Sequence, residues 1–422
     1  MATPSYTTHA GMVDILPGDV EKWQVLEALI RDIARTFHFR EIRTPILEPT
    51  GLIARGVGGT TDIVSKELFA FDRGEDAYVL RPEGTASAVR AYIQHSLHQR
   101  GGSQKVFYIG PMFRAERPQK GRQRQFHQFG AEILGSPDPL ADAEIIAFMA
   151  TLYQKLGITN TTLRLNSVGD PASREAYKAA LRTYFAPNAN LLSDISQKRL
   201  ETNPMRILDS KEPEDQVLIE GAPVITNYLS EDSAKHLRQV QKHLDRLGIE
   251  YVDDPRLVRG LDYYTRTAFE LTSTDLGGQD ALGGGGRYDL LVEELGGPAT
   301  PAVGFAAGIE RLLIACQALN IRLGEEPRLD VYLVTYGDEA RKWAFRHLKP
   351  LRDAGLSAAM DLSARSMKAQ MKEADRENTR WTLIVGDEEL QTGLFTLRDM
   401  EHSTEEKLAF PDILLRLVMP RP

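Results

Sequence analysis

The chain has 422 residues, 42% hydrophobic and 26% charged, a balance far from that of disordered chains, and at roughly 150 residues per domain it allows about two to four domains. No run of about 18 apolar residues is present, which argues against a membrane-spanning helix, and the single cysteine, Cys316, excludes an internal disulfide or a cysteine metal cage. The net charge of −8 (51 basic, 59 acidic residues) excludes indiscriminate coating of nucleic acid, but not a polyanion gripped by a local basic strip.

The first ten residues lack a charged-then-apolar leader pattern, so a cytoplasmic protein is expected. Apolar residues at three-and-four spacing (Trp23, Leu26, Leu29, Ile30, Ile33) predict an amphipathic helix over 21–37. Residues 39–47 read as extended, with Pro45 confining them to an edge or a bend. A short strand at 78–81 turns through Pro82-Glu83-Gly84 into a helix that Thr85 is placed to cap. Strands at 105–113 and 125–134 form the arms of a long hairpin, and a helix follows over 142–156. Between 166 and 255, charged helical stretches (173–185, 233–247) are joined by turn-rich segments with Pro187, Pro204, Pro213 and Pro223. That texture predicts an inserted, mostly helical subdomain at about residues 170–230. Extended structure resumes over 257–271, the run Gly283–Gly286 reads on its own as a bend, and 307–319 is a helix. Residues 321–328 have linker composition. Beyond them strand and helix alternate (330–335, 338–354, 357–360, 364–378, 381–385), which predicts a small α/β domain. The domains are placed at 1–326 and 327–422.

The hairpin carries the densest chemistry. Between Phe113 and Arg124 five cations (Arg114, Arg117, Lys120, Arg122, Arg124) face one acid, Glu116; guanidinium groups suit bidentate phosphate contacts. On the return strand, period-two alternation puts Phe126, Gln128, Gly130 and Glu132 on one face. This is a plausible pocket floor, with Phe126 to stack a base and Gln128 and Glu132 for a polar ligand. On residue type alone, a solvated hairpin explains it as well. Glu83, with Thr85 beside it, can accept from a substrate ammonium or simply complement the helix dipole, and in isolation the second reading is preferred. Arg259 beside Gly260, followed by Tyr263 and Tyr264, offers a charge and hydroxyls, although strand propensity accounts for the aromatics. Gly304–Arg311 is a strand–helix junction whose Arg311 can lie over a purine opposite Phe126, worth about 0.5–2 kcal/mol as a cation–π contact. No phosphate loop or dinucleotide-binding glycine pattern occurs, and the nine histidines show no metal-ligand spacing.

Taken together, Arg43-Thr44-Pro45, the Phe113–Glu132 hairpin, Arg259-Gly-Leu-Asp-Tyr-Tyr264, Leu282-Gly-Gly-Gly-Gly-Arg-Tyr288 and Gly304–Arg311 resemble, in order, the signatures of the bacterial histidyl-tRNA synthetases, a family of class II aminoacyl-tRNA synthetases. The resemblance implies an α+β fold: an antiparallel catalytic sheet flanked by helices, a helical insertion and a C-terminal α/β anticodon-binding domain. It implies activation of histidine by ATP, with Mg²⁺ accompanying the nucleotide, transfer to tRNA-His, and a homodimer whose interface includes Arg43-Thr44-Pro45. In the histidine-binding set Glu83, Thr85 and Gln128 would receive the α-amino group, and Glu132 and Tyr264 the imidazole, with Gly84 and Tyr263 alongside. Arg259 and Arg114 would act on the ATP α-phosphate, Glu116 and Arg122 would position the nucleotide, and Phe126 with Arg311 would sandwich adenine. Gln119 would meet the tRNA acceptor end. No protein-held metal is expected. Gln123, Leu290 and Gly11-Met12 depart from the family pattern, none at a residue given a role. A rival on the same scaffold is the histidine-sensing regulatory subunit of ATP phosphoribosyltransferase; it is disfavoured by the retained Arg114, Arg259 and Arg311 and by the C-terminal region.

Overall fold

The computed structural model describes residues 6–58, 61–119, 121–273, 281–324 and 328–419; Lys120 and the predicted domain boundary at 326/327 lie outside the described residues. The chain divides into two compact units, Met1–Gly324 and Glu325–Pro422. In chain order the strands are β1 (Arg40–Glu41), β2 (Leu47–Pro49), β3 (Ala70–Arg73), β4 (Asp76–Leu80), β5 (Gln104–Phe113), β6 (Gln125–Leu134), β7 (Thr162–Ser167), β8 (Val252–Asp253), β9 (Thr265–Thr272), β10 (Ala281–Arg287) and β11 (Ala302–Gly308) in the first unit. The second unit holds β12 (Val331–Thr335), β13 (Ala358–Met360), β14 (Trp381–Val385), β15 (Phe395–Asp399) and β16 (Glu405–Leu408).

The first unit is organised by an eight-stranded sheet in the order β1-β5-β6-β11-β10-β9-β7-β8. Its six central strands are antiparallel neighbours, but the two-residue edge strands β1 and β8 pair in parallel. The expected antiparallel sheet is thus present, with one short parallel strand added at each edge; both edges are reached through long crossovers, which permit parallel pairing where a tight hairpin cannot. Phe129, Ala131 and Ile133 of β6, Val303 and Phe305 of β11, and Phe269 of β9 are buried with Phe148 and Met149 of the helix Pro139–Leu156. The helices Val20–Thr36 and Ile309–Ala318 add Leu26, Ile30 and Leu312 to the same core. That packing takes one face of the central strands and leaves the alternate positions for the site.

The insertion contains Pro171–Phe185, Asp194–Thr202 and Pro213–Ile219, whose Tyr177, Leu181, Phe185 and Ile219 share an apolar cluster with Ile207 and Ile225. The helix Glu231–Leu247 instead sends Val240 and Leu244 into the main core. A separate small sheet has the order β2-β4-β3.

Three expectations change. Residues 257–264 are irregular and the strand starts only at Thr265, because Gly260 and Asp262 are poor strand formers. The glycine run is a strand rather than a bend, since β10 is paired on both sides. The last junction stays in β11 through Gly308, so the helix begins at Ile309.

The second unit has the sheet order β13-β12-β14-β15-β16, parallel across β13, β12 and β14 and antiparallel beyond. Leu333, Leu348, Leu383 and Leu397 lie in its own buried core. No described helix of either unit is long and apolar enough to cross a membrane.

Candidate functional site

The site is assembled on the sheet face left free by the core. Glu83, not Thr85, serves the helix Thr85–Gln94: its carboxylate accepts from the backbone N–H of Thr85 (2.6 Å) and of Ala86 (2.8 Å). Thr85 is the first helical residue, so it cannot cap in the expected way, and its hydroxyl is free to donate to Glu132 Oε1 at 2.8 Å. Burial pushes the Glu83 carboxyl above its ordinary pKa, although these N–H donors oppose it.

Glu132, fully buried on β6, is the centre of the pocket. Besides Thr85 it accepts from the Tyr108 hydroxyl (3.2 Å) and the Tyr288 hydroxyl (2.5 Å). Burial, with some help from the charge of Glu83, raises its pKa to about 8 even though the hydroxyl donors favour the charged form. The space comes from close approach to glycine. A Cβ on Gly304, opposite Glu132 in register, would lie 1.6 Å from its Oε2; one on Gly130, opposite Tyr108, would lie 2.3 Å from that hydroxyl. Gly84 likewise faces the Tyr108 ring, 2.1 Å from where its Cβ would be.

Two residues along the same face, Gln128 Oε1 is buried and has no hydrogen-bond partner. An acceptor so placed is costly unless something donates to it. Tyr263 and Tyr264 are buried with ring centroids 4.7 Å apart, and Tyr263 lies 5.6 Å from Tyr288. Thus Glu83, Gly84, Thr85, Glu132, Tyr263 and Tyr264 lie together around one pocket.

The three predicted guanidinium groups meet beside this pocket. Arg259 forms an ion pair with Glu270 of β9 and lies over Gly284, where a Cβ would come within 2.7 Å of Nη1. Burial opposes its charge, but Tyr264 and Glu270 outweigh that and hold the cation. Arg311 donates to the carbonyls of Ala281 (2.7 Å) and Gly121 (3.3 Å). Burial and the nearby Arg122 and Arg114 press its pKa down, while Glu116 and Glu270 counter them. Glu270 therefore acts on both Arg259 and Arg311. Arg114 donates from Nε to Pro82 O (3.0 Å) and lies over the Phe126 ring, 5.3 Å from its centroid. Arg114, rather than Arg311, covers Phe126 here; two carbonyls hold Arg311.

Arg122 pairs with Glu116 at 3.4 Å, and exposed Gln119 at the hairpin tip bridges backbone to backbone with Arg122. Glu310 accepts from the backbone N–H of His127 (2.8 and 3.0 Å), and its Oε1 lies 3.1 Å from His127 Nδ1, tying the helix that carries Arg311 to β6.

Tyr108 and Glu270 went unnoticed in the sequence, and Tyr288 was seen only within its glycine motif. The available signal for Tyr108 was an aromatic residue set opposite Gly130 across the hairpin. In the second unit, the basic run from Arg365 to Arg380 is largely neutralised: Arg365 pairs with Asp361 and Glu373, Arg376 with Glu373 and Glu377, and Arg380 with Asp330. Among the described residues, no three His, Cys, Asp or Glu side chains gather as a metal site.

Comparison with known proteins gives a consistent picture. The family profile described as Histidyl-tRNA synthetase matches residues 11–312, and that described as Anticodon binding domain matches residues 330–417. The histidine–tRNA ligase of Chloroherpeton thalassium is 50% identical over 416 residues, covering 98% of this chain and 97% of its own. That of a Picosynechococcus species is 51% identical over 405 residues, 96% of this chain and 95% of its own. Among solved structures, apo S. aureus histidyl-tRNA synthetase superimposes with a TM-score of 0.83 at 39% identity, covering 98% of this chain and all of that one.

Proposed function

The chain belongs to the histidyl-tRNA synthetase family, and from that premise we propose which of its residues carry out the reaction. The activity is that of an ATP-dependent histidine–tRNA ligase with a C-terminal anticodon-binding domain. The residue roles below rest most heavily on one observation: the buried Glu132 carboxylate, ringed by three hydroxyls, lies beside a cluster of arginines.

Histidine enters with its imidazole between Glu132 and Tyr264. With a pKa raised to about 8, Glu132 holds a proton near neutrality that an imidazole nitrogen can share. A non-hydrogen-bonding analogue loses this contact, a hydrogen bond involving a charged group worth about 1.5–3 kcal/mol, while the three hydroxyls still hold the carboxylate in place. The α-ammonium donates to Gln128 Oε1, the acceptor that lacks a partner, and to Glu83 and Thr85; each Glu83 oxygen retains a lone pair beyond its backbone bond.

ATP lies along the hairpin, with Phe126 and Arg311 at adenine and Glu116 and Arg122 on the nucleotide. The histidine carboxylate attacks the α-phosphorus, a P–O bond to histidine forms, and pyrophosphate leaves. Arg259 and Arg114 stabilise the negative charge that grows on the α-phosphoryl oxygens, so catalysis is positioning and electrostatics with no covalent enzyme intermediate. Mg²⁺ would come with ATP, on whose phosphates it would offset negative charge. Gln119 meets the tRNA acceptor end, and the pairing of two copies through the surface around Arg43 completes the enzyme.

The test is ATP–pyrophosphate exchange across a panel of amino acids. Exchange with histidine alone supports the assignment; exchange that persists in Glu132→Ala with unchanged histidine dependence overturns it.

A further inference from the structure

The loop that carries Arg259, Tyr263 and Tyr264 has no strand pairing of its own, since β9 starts only at Thr265. Much of its backbone is held from the helical insertion. Arg174, in the first turn of Pro171–Phe185, donates from Nη1 to the carbonyl of Tyr264 at 2.6 Å and reaches that of Asp262 at 3.5 Å. Arg206 donates to the carbonyl of Gly260 at 3.1 Å, and Asn203 donates to Asp262 Oδ1 at 3.2 Å. Three carbonyls within five residues, interleaved with the side chains that face the substrates, are thus held by two guanidinium groups from outside the sheet. On its other side the loop donates from Asp262 N to Val57 O at 3.3 Å.

Arg174 is itself fixed by a knot at its helix start. Asp170 accepts from Ser173 N (2.8 Å) and Ser233 Oγ (2.9 Å), and Ser230 also donates to it. Ser230 N in turn donates to Ser173 Oγ at 2.9 Å. The knot joins the N-termini of Pro171–Phe185 and Glu231–Leu247. Beside these contacts lies a small solvent-open cleft of about 40 Å³, lined by Arg174, Lys178 and Arg206 together with Arg259 and Tyr264. Contacts across such a cleft are polar and adjustable in a way that close packing is not.

We propose that Arg174 is a positioning residue for adenylate formation: by holding the carbonyls of Asp262 and Tyr264, it makes the placement of the Tyr264 hydroxyl and the Arg259 guanidinium depend on the insertion. Arg174 touches neither substrate in this scheme. The inference rests on the roles given above to Arg259 and Tyr264. Without the clamp, those two groups sample orientations in which imidazole recognition and charge stabilisation are both incomplete. Histidine KM and kcat therefore change together, while ATP, held mainly from the hairpin, binds as before.

The test uses the full-length enzyme and three variants, Arg174→Ala, Arg174→Lys and Arg206→Ala, in histidine-dependent ATP–pyrophosphate exchange, with thermal unfolding followed in parallel. For Arg174→Ala, histidine KM is expected to rise by about tenfold and kcat to fall by about tenfold, with ATP KM within about threefold of the parent. Arg174→Lys recovers part of the loss, and Arg206→Ala shows the same pattern more weakly. Because the cleft is open, guanidinium ion at millimolar concentration partly restores Arg174→Ala but not Glu132→Ala. Folded variants with parental histidine KM and kcat, or a lowered unfolding midpoint with no kinetic change and no guanidinium rescue, overturn the proposal. Should Arg174→Ala fail to fold, Arg174→Lys and Arg206→Ala decide in its place. An inactive parent would count against the site assignment itself, whereas an active parent with unaffected variants would count against the clamp alone.

Discussion

Glu132→Gln separates the charge of the central carboxylate from its shape. The wild-type side chain is buried against Gly304 and accepts three hydroxyls at 2.5–3.2 Å, so an amide fits the same volume but cannot titrate. A pKa raised from 4.5 to about 8 corresponds to about 5 kcal/mol between the protonated and ionised forms, at about 1.36 kcal/mol per unit. The folded state favours the protonated acid. Its contribution to stability is therefore fully present below about pH 4.5, declines as pH rises, and is gone above about pH 8. Urea unfolding of parent and variant at pH 5, 7 and 8.5 should show the parent losing up to about 4 kcal/mol relative to Glu132→Gln across that interval. In exchange assays at pH 7.5 the variant should raise histidine KM by about 10- to 150-fold, the loss of a hydrogen bond of about 1.5–3 kcal/mol involving a charged group, with ATP KM little changed. Parallel stability–pH curves together with a parental histidine KM would refute both the buried-acid description and the imidazole contact.

Arg259→Ala should lower kcat for adenylate formation by about 100-fold or more while leaving ATP KM within about threefold; equal losses in both would contradict a role confined to the developing charge. Ending the chain at Gly324, where the first unit closes on its own core, should spare histidine-dependent exchange and impair tRNA-His charging, as read by comparing the two assays. Arg287→Met removes a fully buried guanidinium that pairs with Asp142 and donates to the carbonyls of Ser136 (2.8 Å) and Asp138 (3.2 Å). It should cost about 3–5 kcal/mol in urea unfolding, because Asp142 is left charged and buried. Gly304→Ala should raise histidine KM by about tenfold or more and lower the urea midpoint as well, since the added methyl would lie 1.6 Å from the Glu132 carboxylate and 2.8 Å from the backbone carbonyl of Ala131.

What could be read in advance follows the range of the interactions involved. The hairpin arms, expected at 105–113 and 125–134, are Gln104–Phe113 and Gln125–Leu134, because alternation is a property of consecutive residues. The helix expected at 21–37 is Val20–Thr36 for the same reason. Segment 257–264 misled because its tyrosines suggest a strand, whereas its carbonyls are satisfied by guanidinium groups more than fifty residues away in the chain. Strands β15 and β16 escaped notice: the charged residues of Glu405–Leu408 are those of a sheet edge, and only pairing makes them a strand. Within the site, Glu83, Glu132 and the arginines stand out by residue type, whereas Glu270 does not, because its part is to pair with Arg259. Tyr108 and Tyr288 do not either, because what distinguishes them is the carboxylate they reach, 24 and 156 residues distant in the chain.

The glycines explain why a site of such polarity can sit inside a sheet. In β10 they serve opposite faces in turn: a Cβ on Gly285 would strike Phe305 on the core side, and one on Gly284 would strike Arg259 on the site side. Each glycine weakens a strand by roughly 0.5–1 kcal/mol relative to alanine, but the sequence cannot fill all of them: a Cβ on Gly285 would lie 2.0 Å from the backbone carbonyl oxygen of Gly304. The sequence keeps them empty where Glu132, Tyr108 and Arg259 need room, and the deficit is offset by the apolar layer of Phe129, Phe148, Phe269 and Phe305 beneath the same strands. The two faces are therefore not independent. A substitution that loosens the phenylalanine layer shifts the backbone on which the carboxylate and guanidinium groups are mounted, so it reaches the chemistry through the sheet itself.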